Sequence, residues 1–393
     1  TYNWQKMEET NFEWWQKRFL QMSYYFDAFR IDHILGFFRI WSIPLSAVEG
    51  IMGVFQPAMP VELQELSERG IWFDYHRYCK PFLTDDILYQ LFGEQTEFVT
   101  ETFLNKNSLG RYDFKEPFDT QRKVEDYFLQ DGENENLKKG LFEALSNVVF
   151  FEQKDSGKRA YHFRISLEAT SSFQQLDEGQ KDKLKERYIN YFYRRQDELW
   201  KKEGWRKLPF LKSSTDMLIC GEDLGMVPDC VPEVMKRLGI LSLEIQRMPK
   251  NAHTQFFHPA HAPYLSVITP STHDMSTIRG WWEENRDTTQ TFYNTVLEEQ
   301  GQAPYYCDAW INRAIVLQHL YSPAMWSIFQ LQDLLGMNDS LRRKNPQEER
   351  INQPADPKHY WKYRMHLYLE DLLQEKEFTN EIKDYINHSG RNL

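Results

Sequence analysis

Residues 26–44, FDAFRIDHILGFFRIWSIP, hold a charged, ring-bearing cluster, Arg30-Ile31-Asp32-His33, at the end of the short apolar run 28–31. Side chains alternate along a strand, so Arg30 and Asp32 share one side and Ile31 takes the other. A guanidinium close to a carboxylate favours the charged carboxylate. Only the ionised form attacks, so the pair suits a nucleophile. It equally suits an ion pair that ties down a strand end, and this stretch alone leaves both readings open. Two further stretches have the same shape. Residues 217–220 are apolar and run into Gly221-Glu222-Asp223-Leu224-Gly225, and residues 264–269, YLSVIT, run into Pro270-Ser271-Thr272-His273-Asp274. Acids at the carboxyl ends of α/β-barrel strands gather at one mouth however far apart they lie in sequence.

Composition narrows the classes. A chain of 393 residues buries a large core, as one domain with insertions or as two domains. The net charge of −11 comes without a basic run long enough to suggest a nucleic-acid footprint. The four cysteines, Cys79, Cys220, Cys230 and Cys307, form no CxxC pair and no zinc spacing, and read as reduced, buried thiols of a cytoplasmic protein. No apolar run approaches the roughly 20 residues of a membrane span, and no signal peptide is visible. His258 and His261 resemble a metal pair, but no acid or cysteine completes a site, so neither metal nor other cofactor is expected. The chain opens at Thr1 without a Met and enters patterned sequence at once, which reads as part of a longer polypeptide.

Phe12, Trp15, Phe19, Met22 and Phe26 recur at helical spacing. They predict an amphipathic helix over 8–26 that delivers the chain into the strand ending at Asp32. After Pro44 the α/β rhythm stops. Residues 45–214 read as helical and charged, with helices from Thr84 to 91, over 121–129, 137–145 and 177–200, and one hairpin pairing 148–152 with 161–165. About 170 residues between two strands far exceeds ordinary loop lengths and reads as an inserted subdomain. Its aromatics, Trp72, Phe73, Tyr75 and Tyr78, fit a core better than a ligand platform. From Met217 the rhythm returns. A helix starts near Pro228 and stops at Gly239, a strand covers 241–245, and a His- and Pro-rich rim or lid loop covers 246–263. Then come the strand 264–269, helices through Trp282 and over 309–320, a last strand over 324–329, a polar, Pro-rich stretch over 341–359 and a helical tail from Tyr360. Asp223, Asp333 and both Trp281 and Trp282 fit structural roles better than catalytic or sugar-stacking ones.

Three ordered blocks, Arg30-Ile31-Asp32-His33 with Gly36-Phe37, Gly221-Glu222-Asp223-Leu224-Gly225, and Thr272-His273-Asp274, resemble signature blocks of the 4-α-glucanotransferases. These are the amylomaltases or disproportionating enzymes of glycoside hydrolase family 77. Thr1-Tyr2-Asn3-Trp4, Asp119-Thr120-Gln121-Arg122-Lys123, Thr170-Ser171-Ser172-Phe173 and Ile245-Gln246-Arg247-Met248-Pro249 extend the resemblance, toward the plant-cytosolic type and its bacterial relatives, over essentially the whole chain. The resemblance implies a TIM (β/α)8 barrel of the α-amylase superfamily. Strands 4–8 would lie in this chain, with barrel segments at 1–44 and 215–393 and a large, mostly helical insertion at 45–214. The family's first three strands lie upstream of the matching segment, and five strands alone leave two open parallel edges.

By the same resemblance Asp32 is the nucleophile of a covalent glycosyl-enzyme, Glu222 the general acid and then base, and Asp274 the stabiliser of the transition state. Arg30 and His273 match positions that bind the sugar in the reacting subsite. Asn352 and Pro354, in Arg350-Ile351-Asn352-Gln353-Pro354, match a later block near the cleft, where Asn352 is expected to bind substrate, and His33 either binds substrate or braces the strand end. A retaining pair needs its carboxyls only about 5–5.5 Å apart, which adjacent strands supply, and the acid needs the drier setting of the two. The implied activity moves α-1,4-linked glucosyl or maltosyl units between malto-oligosaccharides, maltose, glucose and branched glycans. An α-glucan hydrolase or branching enzyme with the same acids, and a non-catalytic glucan-binding fragment, are the alternatives.

Overall fold

The computed structural model describes residues 2–131, 134–251 and 253–392. Two compact units divide the chain: one comprises residues 12–35, 208–227 and 231–393, the other 1–11, 36–207 and 228–230.

The first unit contains five short strands, β1 (Ala28–Ile31), β2 (Leu218–Gly221), β3 (Ser242–Ile245), β4 (Ser266–Thr269) and β5 (Trp326–Ser327). β1 pairs β2 in parallel from Ala28↔Leu218 to Ile31↔Gly221. β3 pairs β4 and β4 pairs β5, also in parallel. A parallel bridge, Cys220↔Leu241, joins the two groups. There Gly221 N–H donates to Leu241 O at 2.8 Å and Leu241 N–H donates to Ile219 O at 2.9 Å. The strands therefore lie side by side in chain order, and the unit is α/β. Parallel strands are buried on both faces and read as continuous apolar runs, as β4 does with every residue buried. Leu241, Leu243, Ile245 and Val267 form one core cluster. Ile278, Trp282, Phe292, Ile311 and Ile315 form another among the helices, with Trp281 partly buried against it. The predicted stop at Gly239 is a left-handed residue (φ +64°) after the helix Cys230–Leu238.

Two predicted helices are corrected here. The 8–26 helix is interrupted: Asn11 and Phe12 take φ of +51° and +58°, and Glu13–Ser23 is the helix that follows. The buried Phe12 ring lies 5.2 Å from Phe210, so tertiary packing overrides the helical spacing. The tail is helical only over Leu369–Gln374 and Lys376–His388.

The second unit packs the helices Asp85–Phe92, Thr96–Phe103, Gln121–Asp131 and Glu135–Ser146 around Leu88, Val99, Phe103, Val124 and Leu141. Thr84 caps its helix through Oγ1, which accepts from Ile87 N–H at 3.4 Å. The predicted hairpin is Phe150–Glu152 with Ala160–Phe163, extended by Val61–Glu62 on the far side of Ala160–Phe163. Two further antiparallel pairs, Ile40–Ser42 with Val54–Gln56 and Leu104–Lys106 with Tyr112–Phe114, were not predicted. The predicted 177–200 helix ends at Tyr193 and a new one starts at Asp197. Between them, buried Gln196 accepts from Met59 N–H at 2.7 Å and donates to Met59 O at 3.0 Å. Tyr78 and Phe73 lie in an aromatic core with Phe150 and Tyr161, whereas Trp72 is exposed. Among the described residues no helix is long and apolar enough to cross a membrane.

Candidate active site

β1 and β2 end side by side. Their register makes Asp32 and Glu222 the next residues along adjacent strands, whose backbones ordinary sheet geometry spaces about 4.8 Å apart. Three hydrogen bonds carry the pairing past the strand ends. Glu222 N–H donates to Ile31 O at 2.9 Å and Ile34 N–H donates to Glu222 O at 3.1 Å. His33 N–H donates to Glu222 Oε2 at 2.8 Å. His33 takes a left-handed φ of +50° and turns the chain sharply after Asp32. Gly221 sits at a close approach: a Cβ there would stand 2.7 Å from Ile34 Cδ1 and 2.9 Å from Met235 Cε, so these side chains would have to shift.

Ile31 is buried, and Arg30 and Asp32 share the exposed side. Arg30 Nη2 lies 2.8 Å from Asp32 Oδ1, and the Asp32 side chain is 82% exposed. Glu222 is partly buried, and its Oε1 has no hydrogen-bond partner among the described residues.

Asp274 lies on the loop after β4, and β4 itself is two strand spacings from β2, roughly 10 Å. Its Oδ2 is 3.2 Å from His273 Nε2, and its Oδ1 accepts from Asn352 Nδ2 at 2.8 Å. Asn352 is buried, Pro354 is exposed. The structure thus gathers the seven candidate residues into two clusters, Arg30–Asp32–His33–Glu222 and His273–Asp274–Asn352, both at the carboxyl edge of one parallel row.

The loop 270–277 is clamped by residues that sequence reasoning did not single out as functional. Arg247 Nε donates to Pro270 O at 3.1 Å and its Nη2 donates to Ser276 O at 2.7 Å. Its guanidinium lies 5.1 Å from the Trp281 ring. Burial pushes Arg247 down to about 10, so it stays charged at neutral pH. Asp333 accepts from Ser271 Oγ and, at 2.8 Å, from Ile278 N–H, and burial holds its carboxyl above the usual range. Glu349, also pushed up by burial, accepts from Thr277 Oγ1 at 2.9 Å and pairs with Arg279. Trp361 completes the surround, its ring centroid 5.4 Å from that of His273. Arg247 lies in a block that the resemblance covers, but the contacts of these residues leave no mark in sequence, because each acts on a carbonyl, hydroxyl or ring whose nearness only the fold creates.

Asp223, beside Glu222 in sequence, points elsewhere. It is buried, accepts from Leu243 N–H at 2.9 Å and pairs with Lys250 Nζ at 2.8 Å. Lys250 also reaches Glu244 at 2.8 Å. Burial raises Asp223 to about 6, with Lys250 pulling the other way. Asp223 and Asp333 are therefore structural. Among the described residues no group of three or more His, Cys, Asp and Glu is placed to hold a metal ion. His258 Nδ1 instead accepts from Ala260 N–H at 3.2 Å.

A row of parallel strands with carboxylates and an arginine at its carboxyl edge belongs to the α/β proteins that build their sites at strand C-termini. The sequence profile of the glycoside hydrolase 77 family, described as 4-alpha-glucanotransferase, matches residues 1–370, and the chain belongs to that family. It is 40% identical over 400 residues to the 4-alpha-glucanotransferase DPE2 of Oryza sativa subsp. japonica, which takes in 100% of this chain and 42% of the rice protein. A 4-alpha-glucanotransferase of Chlamydia pneumoniae is 32% identical over 185 residues, 46% of this chain and 35% of that protein. The amylomaltase of Streptococcus agalactiae, solved in complex with acarbose, superposes with a TM-score of 0.38 at 18% identity, over 48% of this chain and 35% of that one. The chain spans less than half the length of these relatives.

Proposed function

We propose that this chain is the site-bearing part of a retaining 4-α-glucanotransferase, which moves α-1,4-linked glucosyl or maltosyl units from a malto-oligosaccharide to the 4-hydroxyl of glucose or another glycan. The observation that carries this reading is the β1–β2 register, which sets Asp32 and Glu222 on adjacent strand ends. A retaining pair works at a carboxyl separation of about 5–5.5 Å.

In the first step an Asp32 oxygen attacks C1 of the donor sugar while Glu222 gives its proton to the departing O4. An ester joins Asp32 to C1 and the glycosidic bond breaks. In the second step ionised Glu222 takes the proton from an acceptor 4-hydroxyl as that oxygen attacks C1, and the Asp32 carboxylate leaves. Each step inverts C1, so after two inversions the α-linkage is retained. The exposed Asp32 beside Arg30 and the partly buried Glu222 suit these unequal roles. Asp274, held by His273 and Asn352, offers negative charge where the sugar ring turns positive. Arg30, His33 and His273 bind the reacting sugar, and Asn352 keeps Asp274 aimed.

In this reading β1–β5 are strands 4–8 of a (β/α)8 barrel, contributed by residues 1–44 and 215–393, and residues 45–214 are an insertion after strand 4. The enzyme works in the cytoplasm on maltose, malto-oligosaccharides and branched glycans, without a cofactor, nucleic acid or membrane. Incubation with maltotriose tests it. A ladder of shorter and longer oligomers at constant total reducing ends is the expected result, and an unchanged substrate refutes it. One observation favours hydrolysis instead: Asp32 lies open to water, and excluding water is what protects a glycosyl-enzyme for transfer. Reducing ends that grow with time would decide for that alternative.

A further inference from the structure

The geometry points to Trp361 as a binding face for a glucosyl ring next to the one being transferred, an inference that rests on the transglycosylation reading above. One segment reaches the loop after β4 at two places. Asn352 Nδ2 bonds Asp274, and nine residues on Trp361 meets the neighbouring His273. The segment between is closed on itself, because His359 Nε2 lies 3.0 Å from Ile351 O. It is also fixed at its base, where Arg350 Nε donates to Asn352 O at 2.9 Å and its Nη1 to Ser276 Oγ at 3.2 Å.

The indole is therefore held at the site while 57% of the residue stays exposed. Its ring plane is tilted 49° to His273, an oblique touch that leaves ring surface free. Its chain neighbours Tyr360, Lys362, Tyr363 and Arg364 line a neighbouring cavity of about 580 Å³ whose lining does not include Trp361. A tryptophan set alone beside a His–Asp pair presents a flat apolar face next to polar groups. A hexose presents the complement, with C–H groups on its faces and hydroxyls around its rim. The ligand class is thus an α-glucan long enough to extend beyond the reacting sugar.

The test compares Trp361→Phe, which keeps a ring, with Trp361→Leu, which keeps bulk without one, using maltose and maltoheptaose as donors. The expected result for Trp361→Leu is a roughly ten-fold rise in KM for maltoheptaose with kcat within about two-fold, and a smaller change for maltose. Trp361→Phe should stay within about three-fold of wild type. Equal KM values for the Leu and Phe variants, or losses in kcat alone, would overturn the platform. If Trp361→Leu does not fold, quenching of tryptophan fluorescence by maltoheptaose in wild type and Trp361→Phe decides: loss of the signal in the Phe variant supports the platform, and an unchanged signal overturns it. Wild-type protein that transfers glucan while its Leu variant matches it removes only this inference. Wild-type protein that transfers none removes the reading beneath it as well.

Discussion

Replacing Arg247 with methionine tests whether the loop that carries His273 and Asp274 depends on its clamp. The substitution keeps an unbranched stem against Trp281 and deletes the donors to Pro270 O (3.1 Å) and Ser276 O (2.7 Å). A buried acceptor left without a partner costs about 1–3 kcal/mol, so two carbonyls amount to roughly 2–6 kcal/mol concentrated at the two ends of one short loop. Losing the cation over the Trp281 ring adds about 1 kcal/mol. Arg30, Asp32 and Glu222 are held on β1 and β2 by backbone bonds that the substitution does not touch.

The loss should therefore fall on the placement of Asp274. A displacement of about 1 Å in a positioned group costs roughly 100-fold in rate, so kcat for maltotriose disproportionation should drop by about that factor. The assay pairs the oligomer ladder with urea denaturation, run well below the unfolding midpoint so that the folded fraction stays near one. Arg247→Lys, whose ammonium can serve one carbonyl but not both in fork geometry, should recover part of the rate. A methionine variant that is folded and keeps kcat within about three-fold of wild type would refute the clamp.

Three further outcomes are expected. Asp32→Ala should lower transfer by roughly 10⁴-fold or more and abolish the covalent intermediate seen by mass spectrometry of the denatured enzyme, while maltodextrin binding survives; retained transfer sinks the nucleophile assignment. Lys250→Met leaves the buried Asp223 and Glu244 carboxylates without their cation, which should cost about 3–5 kcal/mol in urea denaturation. Lys250 holds Asp223 down at about 6 in the fold, so without it the carboxyl takes up its proton at higher pH and the penalty eases as pH falls toward 6; a deficit that grows in acid would contradict this. His162, packed at 2.6 Å against Tyr191 Oη, is lowered by burial from 6.5 to about 4. Its contribution is whole above pH 6.5 and is lost as pH falls toward 4, so the stability difference between pH 7 and pH 5 should shrink by about 2 kcal/mol in His162→Gln, and an unchanged difference would count against the assignment.

What was legible in the sequence is what local rules govern. Alternation put Arg30 and Asp32 on one side, and the ion pair lies there. The left-handed stop at Gly239 and the Thr84 cap depend on residues a few positions apart, and both are present. Where packing at long range takes over, the reading fails. Phe12 leaves its helical spacing to be buried, Gln196 interrupts a helix to bond Met59 at both its N–H and its carbonyl, and residues 360–368 give up the predicted helix in a stretch that sets Trp361 beside His273. Arg247 stands in a block of the family resemblance, yet its clamp was not foreseen because its partners are carbonyls, which have no sequence signature.

The two clusters are therefore held by different means, and this explains why one was easier to foresee. His33 and Glu222 are 189 residues apart, yet they meet because their strands pair, and pairing follows from two apolar runs that each end on a charged group. That meeting rests on the strand register as a whole. Asp274 has no such security. Its loop departs from β4 and is pinned by Arg247, Asp333 and Asn352, three side chains from three separate segments. Side-chain clamps can be lost one at a time, whereas a strand register shifts only as a whole. Single substitutions away from the sugar should accordingly damage the Asp274 half of the site far more often than the Asp32–Glu222 half.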